Sequence, residues 1–172
     1  MSHLEPLLTA EQIAARIQTL AQEIRARHGD HTLWLIGELK GSFLFHADLT
    51  RALHDLDVRI DFLGVSSYEG TSTTGVVRVT HDLKHDIAGD HVILVEDIVD
   101  TGLTMRYLLD NLSTRQPASL EVATLLDKPS RRKVELVPDY IGFSIPDAFV
   151  VGYGLDLDQR FRNLPDVCVY VP

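Results

Sequence analysis

The chain has 172 residues, of which 45% are hydrophobic and 24% charged, with a formal net charge of −9. That composition suits one domain able to bury a sizeable core, and the acidic balance excludes the basic field that non-specific nucleic-acid binding requires. No apolar stretch reaches membrane-span length, the opening Met1–Pro6 has no signal-peptide pattern, and Cys168 is the only cysteine. An internal disulfide is therefore impossible, and the cytoplasm is the expected compartment.

In chain order, residues 10–28 form the clearest helix. Ile13, Ile17, Leu20, Ala21 and Ile24 share one face, Thr9 and Gln12 are placed as a capping box, and Gly29 supplies a stop. Residues 32–36 read as a strand, followed by a polar loop over 37–41 and a helix from about Ser42 to Leu53. Val58–Val65 and Val76–Thr80 read as strands joined by the small polar segment 66–75, whose Gly70 and Gly75 suit a mobile lid. A strand opening at His91 comes next, then a helix carrying Met105, Leu108, Leu109 and Leu112. Leu120–Leu126, Tyr140–Ile145, Phe149–Tyr153 and Val167–Val171 complete the strands.

Strands alternating with helices predict an α/β fold with a mostly parallel central sheet and flanking helices. No internal repeat or interdomain linker interrupts it, so residues 1–172 read as a single domain. Open sheets of this kind bind ligands at the carboxyl ends of their strands. The loop 37–41, the loop 97–104 and Lys128 all fall on that rim.

The run His91–Thr104 is the most informative. An apolar strand ends in Glu96 and Asp97, Asp100 follows three residues on, and Thr101-Gly102-Leu103-Thr104 leads into a helix. Backbone N–H groups of such a loop and the first helical turn hold a phosphate. The carboxylates accept hydrogen bonds from sugar hydroxyls, directly or through a divalent cation. In the earlier loop, Lys40 brings charge, Gly41 lets the backbone come close and Ser42 is placed to cap the next helix. The histidines show no metal-ligand spacing (His81 and His85 lie among Asp82, Lys84 and Asp86), and neither a phosphate-loop NTPase motif nor a dinucleotide fingerprint is present. Cys168 sits in an apolar run, as a buried structural thiol would.

The segment Val95–Gly102 resembles the PRPP-binding signature of the type I phosphoribosyltransferases, in the version of the branch that acts on 6-oxopurines. The resemblance extends from about residue 33 to 171. It implies that Glu96, Asp97, Ile98, Val99, Asp100, Thr101, Gly102, Leu103 and Thr104 bind the ribose and its 5′-phosphate. Within that stretch, Glu96 and Asp97 would hold the ribose hydroxyls and Asp100 would take the catalytic proton at purine N7. Leu39-Lys40-Gly41 matches the pyrophosphate loop, with a cis peptide between Leu39 and Lys40, and Arg162 faces the same group. On the base side the resemblance implies Lys128 at a carbonyl O6, Phe149 stacked on the purine, and the Val150 backbone at its edge. Asp156 would lie near the metal and pyrophosphate. Ser67-Tyr68 matches the flexible-loop dipeptide.

The implied cofactor is Mg²⁺, near Glu96, Asp97 and Asp156. The implied activity joins N9 of hypoxanthine or guanine to C1 of PRPP in purine salvage, and the expected assembly is a homodimer or homotetramer without nucleic-acid or membrane partners. A small hood would form from about residues 1–32 and 140–172. Without the resemblance, Phe149 would read as core and Lys128 as a surface lysine. Two alternatives stand beside this reading: a transferase restricted to xanthine and guanine, and a PRPP-sensing regulator of the same fold.

Overall fold

The computed structural model describes residues 2–68 and 76–172. Six strands form the main sheet: β2 (Leu33–Leu39), β3 (Val58–Tyr68), β4 (Val76–His81), β5 (His91–Val99), β6 (Ser119–Asp127) and β7 (Tyr140–Ser144). They lie in the order β4-β3-β2-β5-β6-β7, all neighbours parallel except the antiparallel edge pair β3 and β4. The α/β class and the mostly parallel sheet are as the alternation of strands and helices demands.

Helices α1 (Ala10–His28) and α2 (Phe43–Ala52) cover one face, and α3 (Leu103–Ser113) covers the other. Successive strand residues point to opposite faces. Leu33, Leu35, Ile93 and Val95 therefore meet α1 and α2, while Trp34, Ile36, Val92 and Leu94 meet Met105, Leu108 and Leu112 of α3. Helix α1 begins where its capping box lies: the Thr9 hydroxyl accepts from the Gln12 N–H, and the Gln12 side chain accepts from the Thr9 N–H.

A second, three-stranded sheet joins the chain ends, with β1 (His3–Leu8) and β8 (Val150–Val151) both antiparallel to β9 (Val167–Val171). This is narrower than the expected hood. Helix α1 packs in the main core beside α2 and β7, because its apolar face is buried there. Strand β7 is the main sheet's edge, its Tyr140 paired with Ala123. Cys168, on β9, is buried.

Candidate active site

Three strand ends build the site. Strand β5 does not stop at its acidic pair. It stays paired with β6 through Val99 and Asp127, since a ladder uses only backbone groups and tolerates carboxylates at the open rim. Beyond Val99 the chain turns at Gly102, whose φ of +83° starts α3 and would strain any other residue. The carbonyls of this turn are all held from one side. Arg132 donates to the Val99 and Asp100 oxygens, the Lys133 N–H to Thr101 O and the Lys128 N–H to Val99 O. With the carbonyls turned away, Glu96, Asp100, Thr101, Gly102 and Thr104 line a cavity of about 90 Å³ at the first turn of α3.

Strand β2 carries the second loop. The Leu39–Lys40 peptide is cis. A Cβ on Gly41 would lie 1.7 Å from the Asp97 carboxylate, and one on Gly154 would lie 2.1 Å from the Gly41 carbonyl. Only glycines allow Asp97, the Gly41 backbone and the Gly154 turn to stack this closely. Ser42 departs from expectation: its hydroxyl donates to the Glu38 carbonyl and leaves the start of α2 without a side-chain cap. Lys40 Nζ donates to Gln159 Oε1 at 3.2 Å, and the Gln159 N–H donates to the Asp156 carboxylate. Arg162 pairs with Asp156 at 2.8 Å and donates to Gly154 O.

The carboxylates divide by environment. Burial pushes the Glu96 carboxyl well above the usual range, with the Asp97 and Glu38 charges adding to it. Burial also raises Asp97. Glu38 is raised to about 7, chiefly by burial and then by Asp97. Three acids thus crowd one spot that lacks a resident cation among the described side chains except Arg162, a donor set that suits a hard divalent ion. Yet no group of three or more such ligands among the described residues closes around one point. Glu96, Asp97 and Asp156 are hard oxygen donors of the type that would hold Mg²⁺.

Beside the acids, Asp97, Ile98, Asp100, Lys128, Phe149, Val150, Leu155 and Asp156 line a cavity of about 170 Å³. Lys128 is 6% exposed, a rarity for an ammonium. Its nearest acid is Asp147, at 3.9 Å. Phe149 is the reverse, an aromatic ring 53% exposed, held edge-on by Tyr170 with 6.3 Å between ring centres. A flat apolar face, a buried donor and the Val150 backbone thus border one cavity.

The model of the phosphoribosyl transferase domain matches residues 3–158. The chain belongs to the phosphoribosyltransferase family. It is 48% identical over 166 residues to the hypoxanthine phosphoribosyltransferase of Haemophilus influenzae, covering 94% of this chain and 92% of that one. The hypoxanthine-guanine phosphoribosyltransferase of Mycobacterium avium is 52% identical over 165 residues, covering 92% of this chain and 81% of that one. Among solved structures, a hypoxanthine-guanine phosphoribosyltransferase from Bacillus anthracis superposes with a TM-score of 0.93 at 42% identity, each chain covered in full.

In this phosphoribosyltransferase the 96–104 loop, Lys40, Gly41, Lys128, Phe149, Val150, Asp156 and Arg162 all reach one rim. Phe149, just before β8, is exposed, and Lys128, just before the 3-10 turn Pro129–Arg131, is buried, the reverse of what composition alone leads one to expect of each. Ser67 and Tyr68 pair through their backbones with Val77 and Val76. The rest of the expected lid, 69–75, lies outside the described residues. Glu38, next to the Leu39-Lys40-Gly41 loop, also belongs to the site, as do Arg132 and Gln159, which no spacing in the chain connects to it.

Proposed function

We propose that this phosphoribosyltransferase moves the 5-phosphoribosyl group of PRPP to N9 of a 6-oxopurine, hypoxanthine or guanine, in purine salvage. The observation that carries this reading is the cavity shared by Asp100, Lys128, Phe149, Val150 and Asp156, immediately beside the turn at Gly102. Lys128 has three donors and no acceptor. It suits a carbonyl at position 6 and faces the amino group of adenine with a second donor. Phe149 offers the ring face for stacking, and Val150 its backbone for the base's edge.

The N–H groups from Thr101 to Thr104 receive the 5′-phosphate at the positive end of α3. Glu96 and Asp97 face the ribose hydroxyls, and Lys40, the Gly41 backbone and Arg162 hold the diphosphate. In the reaction the bond from C1 to the diphosphate oxygen breaks, pyrophosphate leaves with the electron pair, and N9 forms the new bond to C1. The base sheds one proton, which the Asp100 carboxylate accepts at N7. Mg²⁺, held near Glu96, Asp97 and Asp156, would neutralise charge on the departing diphosphate.

A homodimer or homotetramer in the cytoplasm completes the proposal. Phe43 on α2 and Ile60 on β3 are exposed apolar side chains that a second copy would cover, and light scattering with cell fractionation tests both points. The decisive assay is PRPP-dependent conversion of hypoxanthine, guanine, xanthine and adenine, measured side by side. Hypoxanthine or guanine should be converted and adenine rejected. Conversion of adenine as fast as hypoxanthine, or of none of the four, overturns the reading.

A further inference from the structure

Asp100 sits 41% exposed at the lip of the base pocket, and a carboxylate there would ordinarily swing freely. It does not. Arg131, on the 3-10 turn Pro129–Arg131 that follows β6, donates from Nε to Asp100 Oδ1 at 2.9 Å. The other oxygen, Oδ2, has no hydrogen-bond donor among the described residues. The same guanidinium lies 3.5 Å from the Asp147 carboxylate through Nη1, and Asp147 in turn faces Lys128 Nζ at 3.9 Å. Four charges of alternating sign, Asp100, Arg131, Asp147 and Lys128, thus run along the pocket's edge. They connect the loop after β5, the turn after β6 and the segment after β7.

Each of these pairs taken singly would add little stability, because Arg131 and Asp147 are about half exposed and exposed ion pairs contribute roughly 0–1 kcal/mol. The arrangement has a different use. Arg131 occupies one oxygen of Asp100 and leaves the other without a donor among the described residues, on a side chain that lines the base pocket. Asp147 stands too far from Lys128 to accept a hydrogen bond, so it steadies the ammonium without consuming a donor that a carbonyl needs. A residue that merely screened charge would sit nearer one partner and would not bridge both loops.

Resting on the 6-oxopurine reading, we propose that Arg131 and Asp147 are positioning residues for the transfer: Arg131 orients Asp100 for the proton, and Asp147 orients Lys128 for the base. The two act on different kinetic constants. Arg131→Gln should lower kcat about 5- to 10-fold and leave the KM values for PRPP and hypoxanthine within about twofold, the size of one lost charge-assisted contact. Asp147→Asn should instead raise the hypoxanthine KM about 3- to 5-fold with kcat nearly kept. Arg131→Lys keeps the charge but spans only one carboxylate, so its kcat should fall between the two.

A double-variant cycle tests the assignment. On an Asp100→Asn background, Arg131→Gln should cost less than about twofold, because its target is already disabled. A full 5- to 10-fold loss on that background, or an Arg131→Gln enzyme with unaltered kcat, overturns the role of Arg131 while the proposed function stands. An unchanged hypoxanthine KM in Asp147→Asn does the same for Asp147. An unaltered chain that transfers to none of the four bases overturns both the function and this inference. If Arg131→Gln is less thermally stable than Arg131→Lys, the comparison is made at a temperature where both are folded.

Discussion

Glu96 and Asp97 lie four and three residues before Asp100, yet they occupy opposite electrostatic surroundings. Glu96 is buried and Asp97 half-buried beside Glu38, and burial raises both carboxyl groups, with the charges of Asp97 and Glu38 adding to the rise at Glu96. Asp100 stands at the lip, solvated and paired with Arg131. An uncompensated acid cluster is a site waiting for positive charge, whereas a compensated acid with one free oxygen is ready to move a proton. One turn of chain at a sheet's rim thus holds two environments, because the first residues still belong to the strand and the last has left it.

Metal removal is the broadest way to break that contrast. If the inner acids need a cation, exhaustive chelation with EDTA should abolish transfer, and Mg²⁺ or Mn²⁺ should restore it. Full activity in chelated enzyme would mean that Arg162 and protonation suffice. Asp100 should respond differently. Asp100→Asn keeps the shape and the Arg131 neighbour but cannot accept the proton, so kcat should fall on the order of 10²–10⁴-fold. The PRPP KM should stay within a few fold. A loss confined to PRPP binding would place Asp100 with the inner pair and erase the distinction.

Lys128 extends the contrast to the base. It is buried like Glu96 but carries a positive charge, and the proposed function gives it the task of selecting the base. Sites built on buried hydrogen bonds reject a mismatched partner strongly, since the mismatch leaves polar groups unpaired. Lys128→Gln introduces an acceptor. It should lower kcat/KM for hypoxanthine about tenfold or more and narrow the gap to adenine. Steady-state kinetics with both bases decides the point, and an unchanged ratio would remove Lys128 from the pocket's chemistry.

How much of this was legible in the chain depends on distance along it. Helix α1 was readable to the residue, because its apolar period and its Thr9–Gln12 cap are local. The β5 turn was readable because strand, acids, glycine and helix follow one another within fourteen residues. The end of β5 was not: Glu96 and Asp97 look like a strand's finish, but their backbones still pair with β6. Glu38 was invisible as a partner of Glu96, since only the adjacency of β2 and β5 brings them together. Arg131 and Arg132 stand side by side, and nothing in their spacing says that one grips Asp100 while the other holds Asp127 and a row of carbonyls. Phe149 would pass for core on composition alone, since an aromatic in an apolar run is usually buried, and its exposure follows from topology rather than from its neighbours in the chain.

The smallest effect concerns the stability of the metal-free protein and isolates Glu38. Burial, and then Asp97, raise its carboxyl from 4.5 to about 7. A raised folded-state value means that the folded chain holds an extra proton between those two limits. Stability from this group is therefore greatest below pH 4.5 and declines as pH rises through 7. Glu38→Gln removes the ionising oxygen while keeping the side chain's size, so it should flatten that part of the profile. At pH 8, in EDTA, the Gln variant should be more stable than the natural chain by on the order of 1–3 kcal/mol. At pH 4 the two should nearly coincide. Urea melts at the two pH values measure the difference directly. Identical pH slopes would show that Glu38 is solvated when no cation is bound, and the inner cluster would then be no more strained than the lip.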